Sequence, residues 1–239
     1  MKIALIGYGK MGKAVEQIAL SRGHEINLII DENNIEAFNP DNLKNSDLAI
    51  EFTNPHAAVK NYYTCFYANI PVVSGTTGWT NQLPEIIQYC NTHQKTLFYA
   101  SNFSAGVHAF FNINKHLAKL MEQFNNYVIK LTETHHTQKL DAPSGTAISL
   151  ANDIINCSTK YNGWTMDVNN TANQIPVTAL REPNVIGTHT IEYESEVDKI
   201  SITHFAKNRT GLALGAVLAA EYALGKKGFL TMEQMLNFG

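Results

Sequence analysis

The chain lacks several features that would assign it to a common class of protein. Its 239 residues include only three cysteines, Cys65, Cys90 and Cys157, and their wide spacing excludes a CxxC metal site or a disulfide framework. The formal net charge is −3 and there is no basic run, so nucleic acid and anionic membrane are not expected partners. The sequence has no long uninterrupted apolar run, and its first residues run straight into a short apolar stretch and a glycine loop, so no leader segment is expected. These absences predict a cytoplasmic protein in a reducing compartment.

The first hundred residues alternate between two kinds of apolar pattern. Short apolar runs typical of buried strands occupy residues 2–6, 25–30, 47–52, 71–74 and 96–99. Helical patterns lie between them at 13–20, 55–68 and 83–92, whereas residues 33–45 are polar and irregular. Repeated β–α alternation predicts the α/β class, with a Rossmann-like parallel sheet covered by helices on both faces.

The pattern changes past residue 103. An amphipathic helix at 105–124 and a strand at 127–133 are followed by a polar, loop-like segment at 157–173. Residues 188–193 and 199–204 alternate like antiparallel strands, and an apolar helix at 212–224 is suited to return to the first lobe. We therefore expect a dinucleotide-binding domain of residues 1–103 and 212–239, and an α+β domain of residues 104–211.

A glycine-rich turn follows the first predicted strand. The segment reads Gly7-Tyr8-Gly9-Lys10-Met11-Gly12 and stands between a strand and a helix, the context that the G-x-G-x-x-G dinucleotide motif requires. The second strand ends at Asp31, where a carboxylate accepts hydrogen bonds from the adenosine ribose. Asp31 and Glu32 would repel a 2′-phosphate, so NADH is the expected cofactor. NADPH stays possible because Lys10 is able to reach a phosphate.

Three further turns lie where predicted strands end. Phe52-Thr53 follows the third strand and Gly75-Thr76-Thr77 follows the fourth. Ligands of open α/β sheets bind outside the carboxyl ends of the strands, so both turns are expected to line the nicotinamide end of the cleft. The alternative is ordinary turn and capping chemistry. Ser101-Asn102-Phe103 follows the fifth strand and leads into the second domain.

The segment from Glu133 to Ala147 carries the densest chemistry. His135, His136 and Lys139 are potential proton or hydrogen-bond donors, and Ser144-Gly145-Thr146 opens an apolar helix. A helix start binds carboxylates through its unpaired N–H groups. The segment therefore predicts a site that reacts an acidic small molecule, the alternative being an exposed polar pair at a strand end. No further ligand stands at metal-site spacing, so no metal is expected.

Together these motifs resemble the 4-hydroxy-tetrahydrodipicolinate reductase (dihydrodipicolinate reductase) family of lysine and diaminopimelate biosynthesis. The resemblance spans essentially the whole chain and implies a nicotinamide-dependent reductase that is a homotetramer joined through the second domain. It implies that His135 is the proton donor and Lys139 a second catalytic residue. It assigns the substrate carboxylate to His136, Ser144, Gly145 and Thr146. It places the nicotinamide beside Gly75, Thr77 and the turn Ala100, Ser101, Asn102 and Phe103.

Two departures from the family pattern leave some roles open. The glycine loop is one residue shorter than in many members, and the segment from Arg181 to His189 lacks the usual glycines after the arginine. The roles of Arg181, His189 and Arg209 are therefore not assigned, and His204 is expected at the surface. Two alternative functions remain: another nicotinamide oxidoreductase, such as an aspartate dehydrogenase, and a non-enzymatic NAD(H) sensor.

Overall fold

The computed structural model describes residues 1–167 and 172–237. The chain divides into two compact units, Met1–Ala105 with Arg209–Gly239, and Gly106–Asn208. The predicted domain boundaries at 103/104 and 211/212 fall close to these limits. The strands of the described part are β1 (Lys2–Ile6), β2 (Glu25–Ile30), β3 (Leu48–Glu51), β4 (Val72–Ser74), β5 (Thr96–Tyr99), β6 (Val128–His135), β7 (Gly163–Thr165), β8 (Gln174–Arg181), β9 (Gly187–Glu194), β10 (Lys199–Ala206) and β11 (Gly228–Leu230). Its α-helices are α1 (Lys10–Ser21), α2 (Pro40–Leu43), α3 (Pro55–Tyr67), α4 (Leu83–Thr92), α5 (Ala105–Met121), α6 (Gly145–Ile155), α7 (Thr210–Ala223) and α8 (Met232–Leu236).

The first unit is built on a parallel sheet with the order β2-β1-β3-β4-β5-β11. In β1, Ile3 and Leu5 enter the apolar cluster on one face, while Ala4 and Ile6 enter the cluster on the other. Burial of both faces explains the continuous apolar run of this strand. The predicted α/β sheet is confirmed. The strand order reverses between β1 and β3, which makes a ligand-binding crevice at their carboxyl ends.

Helix α7 brings the chain back to the first unit. Its Ala213, Ala216 and Ala220 are fully buried in the cluster that also contains α1 residues. Gly215 is required in this helix, because a Cβ there would lie 1.7 Å from the Phe103 carbonyl oxygen. Small side chains thus allow close packing of α7 against the sheet.

The second unit contains a mixed sheet with the order β10-β9-β6-β8-β7. The predicted antiparallel pair of β9 and β10 is present, and β9 also pairs antiparallel with β6. On its other side β6 pairs in parallel with β8, which in turn pairs in parallel with β7. One face of the sheet packs on α5 and α6 around buried residues such as Leu131 and Leu150. This unit therefore has the expected α+β composition.

Several elements differ from the sequence-based expectations. The segment 157–173 contains β7 in its described part, and β8 was not expected because Pro176 interrupts an otherwise alternating run. β11 and α8 are too short to give a periodic signal. Asn39 caps the four-residue helix α2 inside the irregular segment 33–45, its side chain accepting a 3.0 Å hydrogen bond from the Asn42 N–H.

The bounds of two longer elements also differ. Strand β6 continues to His135, two residues past its expected end at 133, and helix α5 ends at Met121 rather than at 124. Among the described residues, the helices are all too short or too polar to span a membrane.

Candidate functional site

The glycine loop forms the wall of a cleft in the first unit. Gly7 has φ +93°, and a Cβ there would lie 2.1 Å from the Phe52 carbonyl oxygen. A Cβ at Gly12 would lie 2.2 Å from the Gly7 carbonyl oxygen, so this glycine lets α1 approach the turn. A Cβ at Gly9 would meet nothing within 4 Å, which leaves its backbone open to a ligand at the start of α1. The loop therefore fits the pyrophosphate of a dinucleotide.

The cleft has a volume of about 440 Å³ and lies at the strand-order reversal between β1 and β3. Its described lining brings together five residues predicted from the sequence, Gly7, Tyr8, Gly9, Asp31 and Thr53. It also contains Asn54 from the turn after β3, together with residues that the sequence did not single out, namely Asn33, Ile35, Ala57 and Asn61. Their position beside the cleft depends on strand order, which the motif itself does not give.

Asp31 stands at the end of β2 with its side chain fixed by the local backbone. Its Oδ1 accepts a 2.8 Å hydrogen bond from the Asn33 N–H, and its own N–H donates to Oδ1 of Asn34 at 2.8 Å. Lys10 is exposed, and Tyr8 is hydrogen-bonded to Glu16. The described cleft lining includes Asp31 and Glu32 but no lysine or arginine.

A buried carboxylate joins the turns after β3 and β4. Glu51 is fully buried and accepts hydrogen bonds from the hydroxyls of Thr53, Ser74 and Thr76, the last two at 2.6 and 3.0 Å. The Thr76 hydroxyl in turn accepts a 2.8 Å hydrogen bond from the Thr53 N–H. The side chains of Glu51 and Thr76 thus hold the two turns together.

The other residues predicted to bind the cofactor differ in the solvent exposure of their side chains. Thr77 and Ser101 are exposed, while Met11 and Asn102 are half-buried. Ala100 and Phe103 belong to the core of the unit, so a ligand could meet only their backbone. Gly75 packs on the Phe52 ring, where a Cβ would lie 2.1 Å from the ring edge.

The histidine motif is organised by the alternation of β6. Leu131, Glu133 and His135 all face the buried side of the strand. The antiparallel register sets His189 of β9 directly opposite Glu133, and the parallel register sets Arg181 of β8 opposite His135. Sheet pairing thus brings Glu133 and His135 next to residues that lie 46 to 56 positions further along the chain. Alternation along β6 turns these two side chains to the same face.

Glu133 is at the centre of this cluster and is fully buried. Its Oε2 lies 3.6 Å from Nδ1 of His135 and 3.7 Å from Nε2 of His189, and its Oε1 lies 3.5 Å from a guanidinium nitrogen of Arg181. Both carboxylate oxygens accept hydrogen bonds from the Ser144 N–H, at 3.1 and 3.0 Å. Arg181 and His189, whose roles the sequence left open, therefore both belong to the site.

Ser144 is the N-cap of α6. Its hydroxyl accepts a 3.2 Å hydrogen bond from the Ala147 N–H and lies 3.1 Å from Nε2 of His189. Gly145 is exposed and a Cβ there would meet nothing within 4 Å, while Thr146 is half-buried. The first turn of α6 thus presents backbone donors at an accessible position, as expected for a carboxylate-binding helix start.

Lys139 lies in the turn between His135 and α6. Its Nζ contacts both carboxylate oxygens of Asp141, at 2.7 and 2.8 Å. Arg181 braces the same turn by donating to the carbonyl oxygens of Asp141 at 2.7 Å and of Lys139 at 3.4 Å. The lysine is therefore held beside His135 as a paired cation, half-buried in the free protein.

The cluster perturbs the protonation of its members in opposite directions. Burial lowers the pKa of His135 to about 4; Glu133 opposes this change, whereas His189, Lys139 and Arg181 reinforce it. Burial on its own raises the pKa of Glu133, but the nearby His189 and the Ser144 donors lower it to about 2. In the free protein at neutral pH, Glu133 is therefore a carboxylate and His135 is neutral.

The other histidines differ in position. His136 follows the last residue of β6 and is half-buried, and its Nδ1 is buried without a hydrogen-bond partner among the described residues. The surface position predicted for His204 is wrong: the residue is half-buried, 6.0 Å from the Phe110 ring, because β10 turns this position toward the core. Arg209 is half-buried at the N-cap of α7 in the first unit.

Glu133, His135 and His189 also have the chemistry of metal ligands, and their ligand atoms lie within 4.8 Å of one another. The charge balance argues for an ion-pair cluster, because Glu133 is already opposed by Arg181 and hydrogen-bonded by Ser144. A cation would have to displace or face the guanidinium group, which Coulomb repulsion disfavours.

Comparison with known proteins gives one family along the chain. The family model "Dihydrodipicolinate reductase, N-terminus" matches residues 1–103, and "Dihydrodipicolinate reductase, C-terminus" matches residues 106–236. A 4-hydroxy-tetrahydrodipicolinate reductase from Christiangramia forsetii is 48% identical over 237 residues, 99% of this chain and 98% of the relative. One from Staphylococcus aureus is 32% identical over 247 residues, covering 98% of this chain and 100% of the relative.

A solved structure has the same fold. It is the dipicolinate-bound dihydrodipicolinate reductase from Paenisporosarcina sp. TG-14, which superposes with a TM-score of 0.76 at 23% identity and covers 100% of both chains.

Proposed function

The chain belongs to the dihydrodipicolinate reductase family, and we propose that it reduces 4-hydroxy-tetrahydrodipicolinate to tetrahydrodipicolinate in lysine biosynthesis, with His135 as the proton donor. The observation that carries this proposal is the buried group of Glu133, His135 and Ser144. It combines a titratable imidazole with the start of a helix that suits a carboxylate.

The substrate chemistry explains why these groups stand together. A conjugated cyclic imine accepts hydride at the carbon remote from nitrogen and becomes an electron-rich enamine. Protonation of that enamine carbon by His135 completes the reduction. The first turn of α6, with Ser144, Gly145 and Thr146, binds one carboxylate and orients the ring. Lys139 offsets the negative charge of the dicarboxylate, and His136 lies beside the residues that bind its carboxylate.

The cleft of the first unit fits a dinucleotide at Gly7, Gly9 and Asp31, and a bound nicotinamide cofactor supplies the hydride. We propose NADH as the preferred cofactor. The support is the pair Asp31 and Glu32 in the cleft lining, where a ribose hydroxyl finds acceptors but a 2′-phosphate meets like charge. Exposed Lys10 keeps some use of NADPH possible.

We also propose that the protein is a cytoplasmic homotetramer. The support for this assembly is the outer face of the second sheet, away from α5 and α6. There the uncharged side chains of Thr132, Thr190 and Thr203 are half-buried or exposed, so they are accessible to a second copy of the chain. Cysteine usage supports the compartment, since Cys65, Cys90 and Cys157 are all free thiols. Sedimentation equilibrium gives the mass of the assembly directly.

The function is tested by following NADH absorbance after the purified protein is mixed with freshly generated substrate. The preceding synthase produces that substrate from pyruvate and aspartate semialdehyde. We expect rapid oxidation of NADH that depends on the synthase product. Two outcomes contradict the proposal: reduction of NAD⁺ by L-aspartate, which is oxidised, and cofactor binding without any oxidation of NADH or NADPH by the synthase product. Competitive inhibition by pyridine-2,6-dicarboxylate, a planar mimic of the substrate, separates a reductase from a nucleotide sensor.

A further inference from the structure

Glu133 belongs to the buried group that carries the proposed function, but no chemical task has yet been derived for its carboxylate. Glu133 has no exposed surface, although burying a carboxylate is unfavourable unless it is paired and hydrogen-bonded. Its partners are all parts of the proposed site: Ser144 at the start of α6, Arg181, His189 and His135.

The ring of His135 has one nitrogen that lacks a partner. Its Nδ1 is buried and makes no hydrogen bond to any described residue, and the nearest acceptor is Oε2 of Glu133 at 3.6 Å. Closing this gap to hydrogen-bond distance takes a shift of less than about 1 Å. Leaving a buried N–H unpaired is unfavourable, so the contact has a clear driving force.

We propose that Glu133 is a positioning residue for His135: its carboxylate accepts a hydrogen bond from the Nδ1–H group of His135. The same carboxylate accepts the hydrogen bond of the Ser144 N–H, so it holds the proton donor in place relative to the carboxylate-binding start of α6. This inference rests on the proposed function. With Nδ1 held as a donor to Glu133, Nε2 is the nitrogen that gains and gives the transferred proton. The Nε2–H bond breaks as the enamine double bond supplies the electron pair for the new C–H bond, and the imidazole returns to its neutral form.

The charges around His135 agree with this arrangement. Glu133 is the anion that faces the ring from its own strand, while Lys139 from the following turn, Arg181 from β8 and His189 from β9 face it as cationic or titratable groups. Glu133 is therefore the group in the cluster that favours the imidazolium form. Substrate carboxylates add to its effect when they bind.

The first test measures which ring nitrogen of His135 carries the proton in the wild-type protein, and it does not depend on turnover. In a full chain labelled with 15N-histidine, long-range ¹H–¹⁵N spectra distinguish a protonated from a bare ring nitrogen, and His135→Gln assigns the signal. At pH 7 we expect His135 to carry its proton on Nδ1, with and without pyridine-2,6-dicarboxylate. A proton on Nε2 with a bare Nδ1 overturns the proposal.

The second test uses Glu133→Gln and Glu133→Asp. The matched control is Glu196→Gln, which removes an exposed carboxylate in the turn between β9 and β10 of the same sheet. Removing the charge of Glu133 should lower kcat about 10- to 100-fold at pH 7, less than loss of the acid itself, and shift the acid-dependent limb of the pH profile to lower pH. Glu133→Asp should recover part of kcat, and the control should match wild type.

The outcomes separate this inference from the proposed function. Wild-type turnover with an unchanged pH profile in Glu133→Gln overturns the positioning role and leaves the reductase assignment intact. If the wild-type protein itself shows no turnover, the reductase function is contradicted. The tautomer of His135 then still decides whether Glu133 holds the Nδ1 proton of that ring. If Glu133→Gln does not fold, the wild-type spectrum alone decides the proposal.

Discussion

Glu133 and His189 face each other directly across the antiparallel strands β6 and β9, with Oε2 of one 3.7 Å from Nε2 of the other. Their meeting depends on register, because a slip of one residue would turn an entire set of side chains to the opposite face of the sheet. The same register places Ile191 opposite Leu131 in the core. Apolar packing therefore fixes the pairing that assembles the charged cluster.

His135→Ala should lower kcat by about 10²–10⁴-fold, because it removes the general acid. The dissociation constant of NADH, measured by fluorescence, should stay unchanged, since the glycine loop lies in the first unit. His116→Ala, an exposed histidine on α5, is the matched control and should retain full activity. Wild-type turnover in His135→Ala would remove this residue from the mechanism.

Asp31→Asn should shift cofactor use toward NADPH. The amide oxygen keeps the acceptor for the Asn33 N–H, while the charge that opposes a 2′-phosphate is lost. We expect the ratio of kcat/KM for NADPH to that for NADH to rise about 10-fold, equivalent to about 1.4 kcal/mol. Asp41→Asn, whose exposed carboxylate pairs with Lys44, controls for a general change of charge. A ratio equal to wild type would show that Asp31 does not select the cofactor.

Gly187→Ala should impair chemistry more than stability. The new Cβ would lie 3.1 Å from Nε2 and 3.3 Å from Cδ2 of His135, so the ring must move by a few tenths of an ångström. Displacing the proton donor in this way should lower kcat about 10-fold, since such small misplacements are costly in catalysis. Gly163→Ala is the control, because its Cβ makes only ordinary contact at 3.5 Å. Equal kcat in both variants would contradict the prediction.

Acid should destabilise the protein through His135. Burial lowers the pKa of His135 in the folded state to about 4, whereas the unperturbed side chain has a pKa of 6.5. Between these two pH values His135 is protonated in the unfolded chain but not in the folded one. The free energy of unfolding therefore falls as pH is lowered through this range, by about 3 kcal/mol at its lower end. Urea unfolding at several pH values should give a flatter profile for His135→Gln. Parallel profiles for the two proteins would refute the assignment of this loss to His135.

Binding of a dicarboxylate should be accompanied by proton uptake. Two negative charges near His135 raise its pKa toward neutrality and convert the neutral ring into the acid that the reaction requires. Calorimetric titration with pyridine-2,6-dicarboxylate at pH 6, in buffers of different ionisation enthalpy, measures the number of protons taken up. We expect a positive value that disappears in His135→Gln. Identical proton uptake by His135→Gln would show that a group other than His135 binds the proton.

Much of the first unit could be predicted from local sequence. The runs at β1 and β2 are apolar on both faces. Gly7 predicted the turn between β1 and α1, where its φ is +93°, a value that residues with a side chain rarely adopt. The mixed second sheet was only partly predictable. Pro176 argues against a strand at the position of β8, and the three residues of β7 are too few to show an alternating pattern.

The same limit applies to the candidate site. His135, Lys139 and Ser144 stand within one segment and could be singled out together, whereas Glu133, Arg181 and His189 meet only through strand pairing. A signal for Glu133 does exist in the sequence. It shares the alternating buried face of Leu131 and His135, and a carboxylate at such a position must have partners. Which partners it has depends on register, which local patterns do not fix.

The late position of α7 in the chain has a consequence for synthesis. Ala213, Ala216 and Ala220 complete the cluster that begins with Ile3 and Leu5, yet they leave the ribosome only after the whole of the second unit. The nascent first unit therefore waits with one apolar face of its sheet covered by α1 but not yet by α7, while residues 106–208 already have strands β6 to β10 of their own sheet. We expect the inserted unit to mature first during translation, and chaperones to bind the part of the N-terminal sheet that α7 later covers.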